Sequence, residues 1–107
     1  MIAYEVTAEV EPRLAAAYEQ YMRVKHIPEV FATGCFHFTI FARSTPGRYR
    51  TSYVARTQAD LDRYLQRHTE ALRADFAAHF SEGCRSRARC GSPWSAGKRR
   101  RPEVGVD

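Results

Sequence analysis

No stretch of this sequence approaches the roughly 18 consecutive apolar residues that a membrane-crossing helix needs. Cysteine is scarce and odd in number: Cys35, Cys84 and Cys90 do not make a disulfide framework. The six-residue spacing of Cys84 and Cys90 is not a zinc spacing either, so neither a metal site nor a cofactor is expected. The chain lacks a phosphate-binding glycine loop, a nucleophile elbow and a zinc-protease motif. Its start, Met1-Ile2-Ala3-Tyr4-Glu5, has neither the basic opening nor the apolar core of a signal peptide, which predicts a cytoplasmic protein. Over most of the length it also lacks an excess of either charge. Residues 1–80 hold ten Lys and Arg against nine Asp and Glu, whereas residues 81–107 hold seven against three. The net charge of +5 therefore belongs to the end of the chain and says little about the rest.

What is present is a globular mixture, 44% hydrophobic and 27% charged, in 107 residues, which suits one domain and not two. A domain this small buries little of its surface, so association with a partner helps it. Residues 2–10 alternate, with Ile2, Tyr4, Val6, Ala8 and Val10 on one side, and predict a strand. Residues 13–25 have helical period through Leu14, Ala17, Tyr18, Tyr21 and Met22. Pro28 predicts that this helix ends near Ile27, because the residue before a proline is pushed out of the α region. A short further turn through Ala32 then closes at Gly34.

Residues 35–43 and 49–55 read as two strands joined by the turn Ser44-Thr45-Pro46-Gly47, hence an antiparallel hairpin. Thr57, followed three residues later by Asp60, opens a second helix over 58–79 along Leu61, Tyr64, Leu65, Leu72 and Phe76. Residues 84–90 alternate small residues with Arg85, Arg87 and Arg89 and are the candidate for a last, edge strand. The order is then β-α-β-β-α-β, a ferredoxin-like α+β sandwich over residues 1–90. Residues 91–107, with the run Lys98-Arg99-Arg100-Arg101, read as a basic disordered tail that folding can do without. The expected core includes Val6, Leu14, Tyr18, Phe38, Ile40, Leu61, Leu65 and Leu72. The expected open face of the sheet carries Thr7, His37, Thr39 and Phe41.

The segment His26-Ile27-Pro28-Glu29-Val30-Phe31-Ala32-Thr33-Gly34, followed by Cys35-Phe36, resembles the signature of a family of small bacterial proteins known only as domain of unknown function number 4286. The opening Ile2-Ala3-Tyr4-Glu5-Val6-Thr7 and the helix Asp60-Leu61-Asp62-Arg63-Tyr64-Leu65 extend the likeness over roughly residues 1–80. Members of that family end in a hydrophobic strand, where this chain is rich in Arg, Gly and Ser. The family is similar to the dimeric α/β-barrel superfamily, in which two ferredoxin-like sheets pack face to face. The resemblance therefore implies a fold and a homodimer, and it carries no established activity. In enzymes of that superfamily, which include oxygenases acting without a metal, a few polar groups in the cleft position a small substrate.

His26, at the expected end of the first helix, is the leading candidate for such a group. Its charged form is favoured there by the helix dipole. Tyr4, Tyr21 and Tyr53 are expected beside it as ligand-binding residues, and Glu29 as a second acid–base group. The competing reading makes His26 a cap for free carbonyls, Glu29 a solvated side chain and the tyrosines core or interface packing. Asp75 and His79, four apart, are expected to touch at the end of the second helix. Three functions follow: a small-molecule pocket between helices and sheet, binding or converting its ligand; a non-catalytic structural or partner-binding homodimer; and nucleic-acid binding through the basic tail.

Overall fold

The computed structural model describes residues 1–93, with side chains described as far as Arg89. Strand β1 (Ile2–Val10) leads through a 3-10 turn at Pro12–Leu14 into helix α1 (Ala15–Tyr21), a π-helical segment (Met22–His26) and helix α2 (Ile27–Ala32). Strands β2 (Phe38–Thr45) and β3 (Arg48–Ala55) form the hairpin, and helices α3 (Gln58–Arg67) and α4 (Thr69–His79) lead to strand β4 (Cys84–Pro93). The four strands form one sheet in the order β2-β3-β1-β4, with every neighbouring pair antiparallel. The helices cover one face of it, and the arrangement is the expected ferredoxin-like α+β sandwich. No described helix is long and apolar enough to cross a membrane.

The local signals explain most of these elements. Thr57 Oγ1 accepts from the Asp60 N–H at 3.1 Å and caps α3, as the sequence spacing predicts. Gly47, with φ of +80°, follows Pro46 in the turn of the hairpin, the residue order a type II turn requires. Strand β4 forms despite weak β-formers because its arginines meet β1's acids across the ladder. Arg85 reaches Glu9 at 3.3 Å and Arg89 reaches Glu5 at 3.7 Å, while Arg48 of β3 closes on Glu9 from the other side at 2.8 Å. The strand runs on to Pro93, taking in three residues of the expected tail; the remainder of that tail, 94–107, lies outside the described residues.

Three expectations are corrected. The first helix does not stop before Pro28. Ile27 is helical, with φ −61° and ψ −44°, and its N–H bonds to the Met22 carbonyl five residues back. A proline has no N–H to give, and its ring collides with the carbonyl four residues earlier in an ordinary helix. A π-turn widens the coil at that point and gives the ring room, so the chain stays coiled through Ala32. The second helix, expected as one piece, breaks at His68, which leaves the helical region with φ −123°. Thr69 Oγ1 donates to the Tyr64 carbonyl at 3.1 Å there, beside the bond that carbonyl accepts from the His68 N–H.

The third correction concerns β2. Phe38 and Ile40, expected in the core, point to the face away from the helices, and Ile40 is 43% exposed. Thr39 and Phe41, expected on the open face, point toward the helices, where Phe41 packs on Tyr18 and Tyr49. The register sets this: Thr39 lies opposite Tyr53 and Phe41 opposite Thr51, on β3's helix-facing side. Apolar residues occupy both parities of this strand, so alternation alone does not choose a face, and a slip of one residue turns every side chain over. Thr7 lies on the open face as expected, and His37, just before β2, is exposed and meets Arg56 at 2.9 Å.

The core has two parts. One gathers Tyr4, Tyr53, Tyr64, Phe36, Val30 and Leu61; the other gathers Tyr18, Tyr21, Met22, Tyr49, Ala8 and Val10. Leu61 and Tyr18 are buried as expected, and Val6, Leu14, Leu65 and Leu72 pack against these clusters while partly exposed.

Candidate active site

Between the helices and the β4 side of the sheet lies a cavity of about 450 Å³. Tyr4, Tyr18, Tyr53 and Tyr64 form its aromatic walls, and His26 and Arg73 bring polar groups to it. Ser86 and Ala88 of β4 lie on its sheet side. Both stand on β4's helix-facing side yet remain exposed, because the helices lean over β1 and β3 and leave the edge strand bare. The break at His68 lets α4 restart with Thr69, Leu72, Arg73 and Phe76 on the cavity wall. Two larger hollows, of about 670 and 480 Å³, lie at the end of the sheet and on its open face. They are flanked by the Glu9, Arg48 and Arg85 ion pairs and hold no comparable set of buried polar groups.

The buried tyrosines are unusual in what they lack. Tyr4, Tyr18 and Tyr53 are 4%, 2% and 2% exposed, yet their hydroxyls make no hydrogen bond to the described residues. Such groups ordinarily find a partner. They are not sealed off either: among the described residues the sealed, unpartnered side-chain atoms are the Thr39 and Thr51 hydroxyls. All three tyrosines line the cavity between helices and sheet. Burial pushes the Tyr18 and Tyr53 phenols well above their ordinary range, so they stay protonated and able to donate.

His26 is held by a chain of hydrogen bonds. Tyr21 donates its hydroxyl proton to Asp75 Oδ2 at 2.8 Å, and the Tyr21 hydroxyl oxygen lies 3.3 Å from His26 Nδ1. A tyrosine has one hydroxyl proton. With that proton on the Asp75 side, the contact to His26 is a hydrogen bond only when Nδ1 is the donor, which assigns the Nδ1–H tautomer from the network. Nε2 then carries the lone pair. The two rings stack with centroids 5.5 Å apart. Residues five apart on an α-helix lie about 140° apart around its axis, so this stacking depends on the π-turn, whose wider repeat sets Tyr21 and His26 one above the other.

The electrostatics agree with the geometry. Burial lowers the His26 pKa, while Asp75 and Glu29 pull the other way. The ring is therefore neutral at neutral pH, which reverses the expectation of a dipole-favoured imidazolium: the helix does not end at His26, so no free carbonyls gather there. The Tyr21 hydrogen bond holds the Asp75 carboxyl below its ordinary value, with Lys25, 3.4 Å away, adding to the effect. Tyr21 is raised by burial and by Asp75, so it keeps its proton.

Of the residues singled out from sequence, Tyr4, His26 and Tyr53 line the one cavity, and Tyr21 stands directly behind His26. Glu29 is exposed, pairs with Lys25 at 2.8 Å and does not line the cavity. Asp75 touches His79 as expected, at 3.7 Å between Oδ2 and Nδ1, but its second role, through Tyr21, joins residues 54 apart in the chain and has no sequence signal. No group of three or more metal-ligating side chains occurs among the described residues.

The His26 assignment fixes a pH dependence of stability. A histidine whose folded pKa lies below its ordinary value of 6.5 binds fewer protons folded than unfolded between those two values. Stability is then full above pH 6.5 and falls as the pH drops through that window. The thermal midpoint should decline between pH 7 and 5, and His26→Gln should flatten that part of the curve. Asp75 acts separately, at pH below its ordinary value of 3.8. Parallel curves for wild type and variant between pH 7 and 5 would contradict the assignment.

The model of a domain of unknown function, DUF4286, matches residues 1–89. Among solved structures, the NE2512 protein of unknown function from Nitrosomonas europaea superposes with a TM-score of 0.60 at 18% identity, covering 90% of this chain and 95% of that one. The putative antibiotic biosynthesis monooxygenase from Deinococcus radiodurans superposes with a TM-score of 0.59 at 14% identity, covering 97% of this chain and 100% of that one. At these identities the likeness establishes the fold. No curated protein matches the chain.

Proposed function

The chain belongs to the DUF4286 family, and we propose that its cavity binds a small, mainly aromatic molecule, with Tyr4, His26 and Tyr53 in contact with it and Tyr21 behind His26. The observation that carries this is one cavity lined by three buried tyrosines, whose hydroxyls have no hydrogen-bond partner among the described residues, beside a neutral histidine. Left empty, such hydroxyls cost stability; a ligand with acceptors satisfies them. A structural neighbour bears the name of a monooxygenase of antibiotic biosynthesis, so this fold is associated elsewhere with small-molecule chemistry. That association is one of fold and selects no reaction.

A thermal-shift screen with aromatic, quinone-like and acidic metabolites tests the reading. A ligand present at 100 times its Kd adds about 2.7 kcal/mol, which raises the midpoint of a domain this size by on the order of 10 °C. Ser86→Trp, at an exposed position on the cavity wall, should keep the unliganded midpoint and lose that gain. If no compound moves the midpoint, the cavity is structural only. If polyanions alone move it and salt abolishes the shift, nucleic-acid binding through the basic tail is the better reading.

The same reading includes a homodimer through the sheet face turned away from the helices. Ile40, 43% exposed on that face, supports it, because a large apolar side chain on an edge strand gains from being covered. Light scattering should give twice the chain mass, and Ile40→Glu should give monomers. A wild-type monomer at high concentration would refute the dimer.

A further inference from the structure

We propose that His26 takes a proton from a bound ligand carrying a weakly acidic hydroxyl on an apolar, ring-sized body, with Tyr21 and Asp75 as the residues that position it. This rests on the cavity reading above and adds the chemistry of the ligand. The network assigns the ring proton to Nδ1, because the Tyr21 hydrogen is committed to Asp75. The nitrogen left with a lone pair, Nε2, belongs to a side chain that lines the cavity. Burial keeps the ring neutral and thus able to accept. In the step, the ligand's O–H bond breaks, its electron pair stays on the oxygen, and the proton forms a bond to Nε2. The products are an imidazolium and a ligand anion, with no oxidant or reductant needed.

Burial costs the imidazolium, and nearby carboxylates offset part of that cost. The imidazolium keeps its Nδ1–H on Tyr21 and feels the Asp75 carboxylate through that hydroxyl. Glu29 of α2 acts in the same direction, and Lys25 opposes both, 2.8 Å from Glu29 and 3.4 Å from Asp75. His79 of α4 adds a further titratable ring 3.7 Å from Asp75. Arg73 lines the same cavity and is the cation there that suits the ligand anion. The body of the ligand meets ring faces: Tyr4 lies 5.6 Å from Tyr64 and 6.1 Å from Tyr53 between centroids, with Phe76 and Leu72 on the helix side.

The test uses the full chain and two chromophores, 4-nitrophenol, which ionises, and 4-nitroanisole, which does not. Below the pH at which free 4-nitrophenol ionises, the bound compound should show the phenolate band, a several-fold rise in anion fraction over the free compound. The His26 Cε1–H resonance should move to its imidazolium position as it binds. His26→Gln should bind both compounds and show no phenolate band. Tyr21→Phe and Asp75→Asn should still bind while the ionisation profile moves to higher pH, an effect that loss of structure does not produce. Neutral nitrophenol in the wild-type cavity, or an undiminished phenolate band in His26→Gln, would overturn the proposal and leave the cavity reading intact. If neither compound binds the wild type, the cavity reading fails and this proposal with it. Should His26→Gln not fold, the wild-type comparison of the two compounds with the His26 resonance decides the same point.

Discussion

Leu61→Ala should lower the thermal midpoint by about 10–20 °C. Leu61 is completely buried and packs among Tyr4, Val30, Phe36, Tyr53 and Tyr64, where α3 meets β1 and β3. Removing its outer carbons loses their transfer energy and leaves a hole among rings that cannot collapse into it, at a cost of about 2–5 kcal/mol. A domain of this size loses about 4–8 °C for each kcal/mol. Gln66→Ala, exposed on the same helix, is the control and should stay within about 0.5 kcal/mol of wild type. Thermal unfolding of the two variants side by side makes the measurement. A loss below about 5 °C for Leu61→Ala would mean that α3 does not seal this part of the core.

Gly47→Ala should cost much more than Gly34→Ala, although both glycines have the same left-handed backbone, φ +80° and +78°. That conformation alone costs an alanine about 1–2 kcal/mol. At Gly34 nothing lies within 4 Å of the added carbon, so this is the whole penalty. At Gly47 the carbon would sit 2.8 Å from the Val10 carbonyl oxygen, which is backbone and cannot swing aside. The Gly47 carbonyl also accepts from the Val10 N–H at 2.8 Å, so any retreat of the turn breaks that bond. The midpoint of Gly47→Ala should fall roughly twice as far as that of Gly34→Ala, or further, with the excess measuring the contact between hairpin and β1. Equal losses would mean that the turn moves away from β1 at little cost.

Legibility in the sequence followed the range of the interactions. The strands of the hairpin, the cap at Thr57 and the burial of Leu61 and Tyr18 follow from neighbours within a few residues, and the sequence pattern showed them. Strand β4 was legible only as an alternation; what makes it pair is Glu5 and Glu9, some eighty residues earlier. The face of β2 was misread because Phe38, Ile40 and Phe41 offer apolar surface on both sides, and the register with β3 decides between them. Of the candidate site, Tyr4, His26 and Tyr53 were legible as polar-tipped residues near one another in the expected fold, whereas Asp75 was seen only with its helical neighbour His79.

By itself the sequence determined the element order and the ferredoxin-like class, because periods of two and of 3.6 residues and turn chemistry are local properties. It also determined the kinship, through the segment His26 to Phe36 within a family match over residues 1–89. Only the tertiary structure decided that the helix passes through Pro28 by widening into a π-turn. That widening sets Tyr21 and His26 in line, and the packing of α4 against this segment brings Asp75 to the other side of Tyr21. The protonation of His26 follows from those two contacts and from burial, which depend on side chains brought together from distant parts of the chain and leave no trace in the spacing of residues along it.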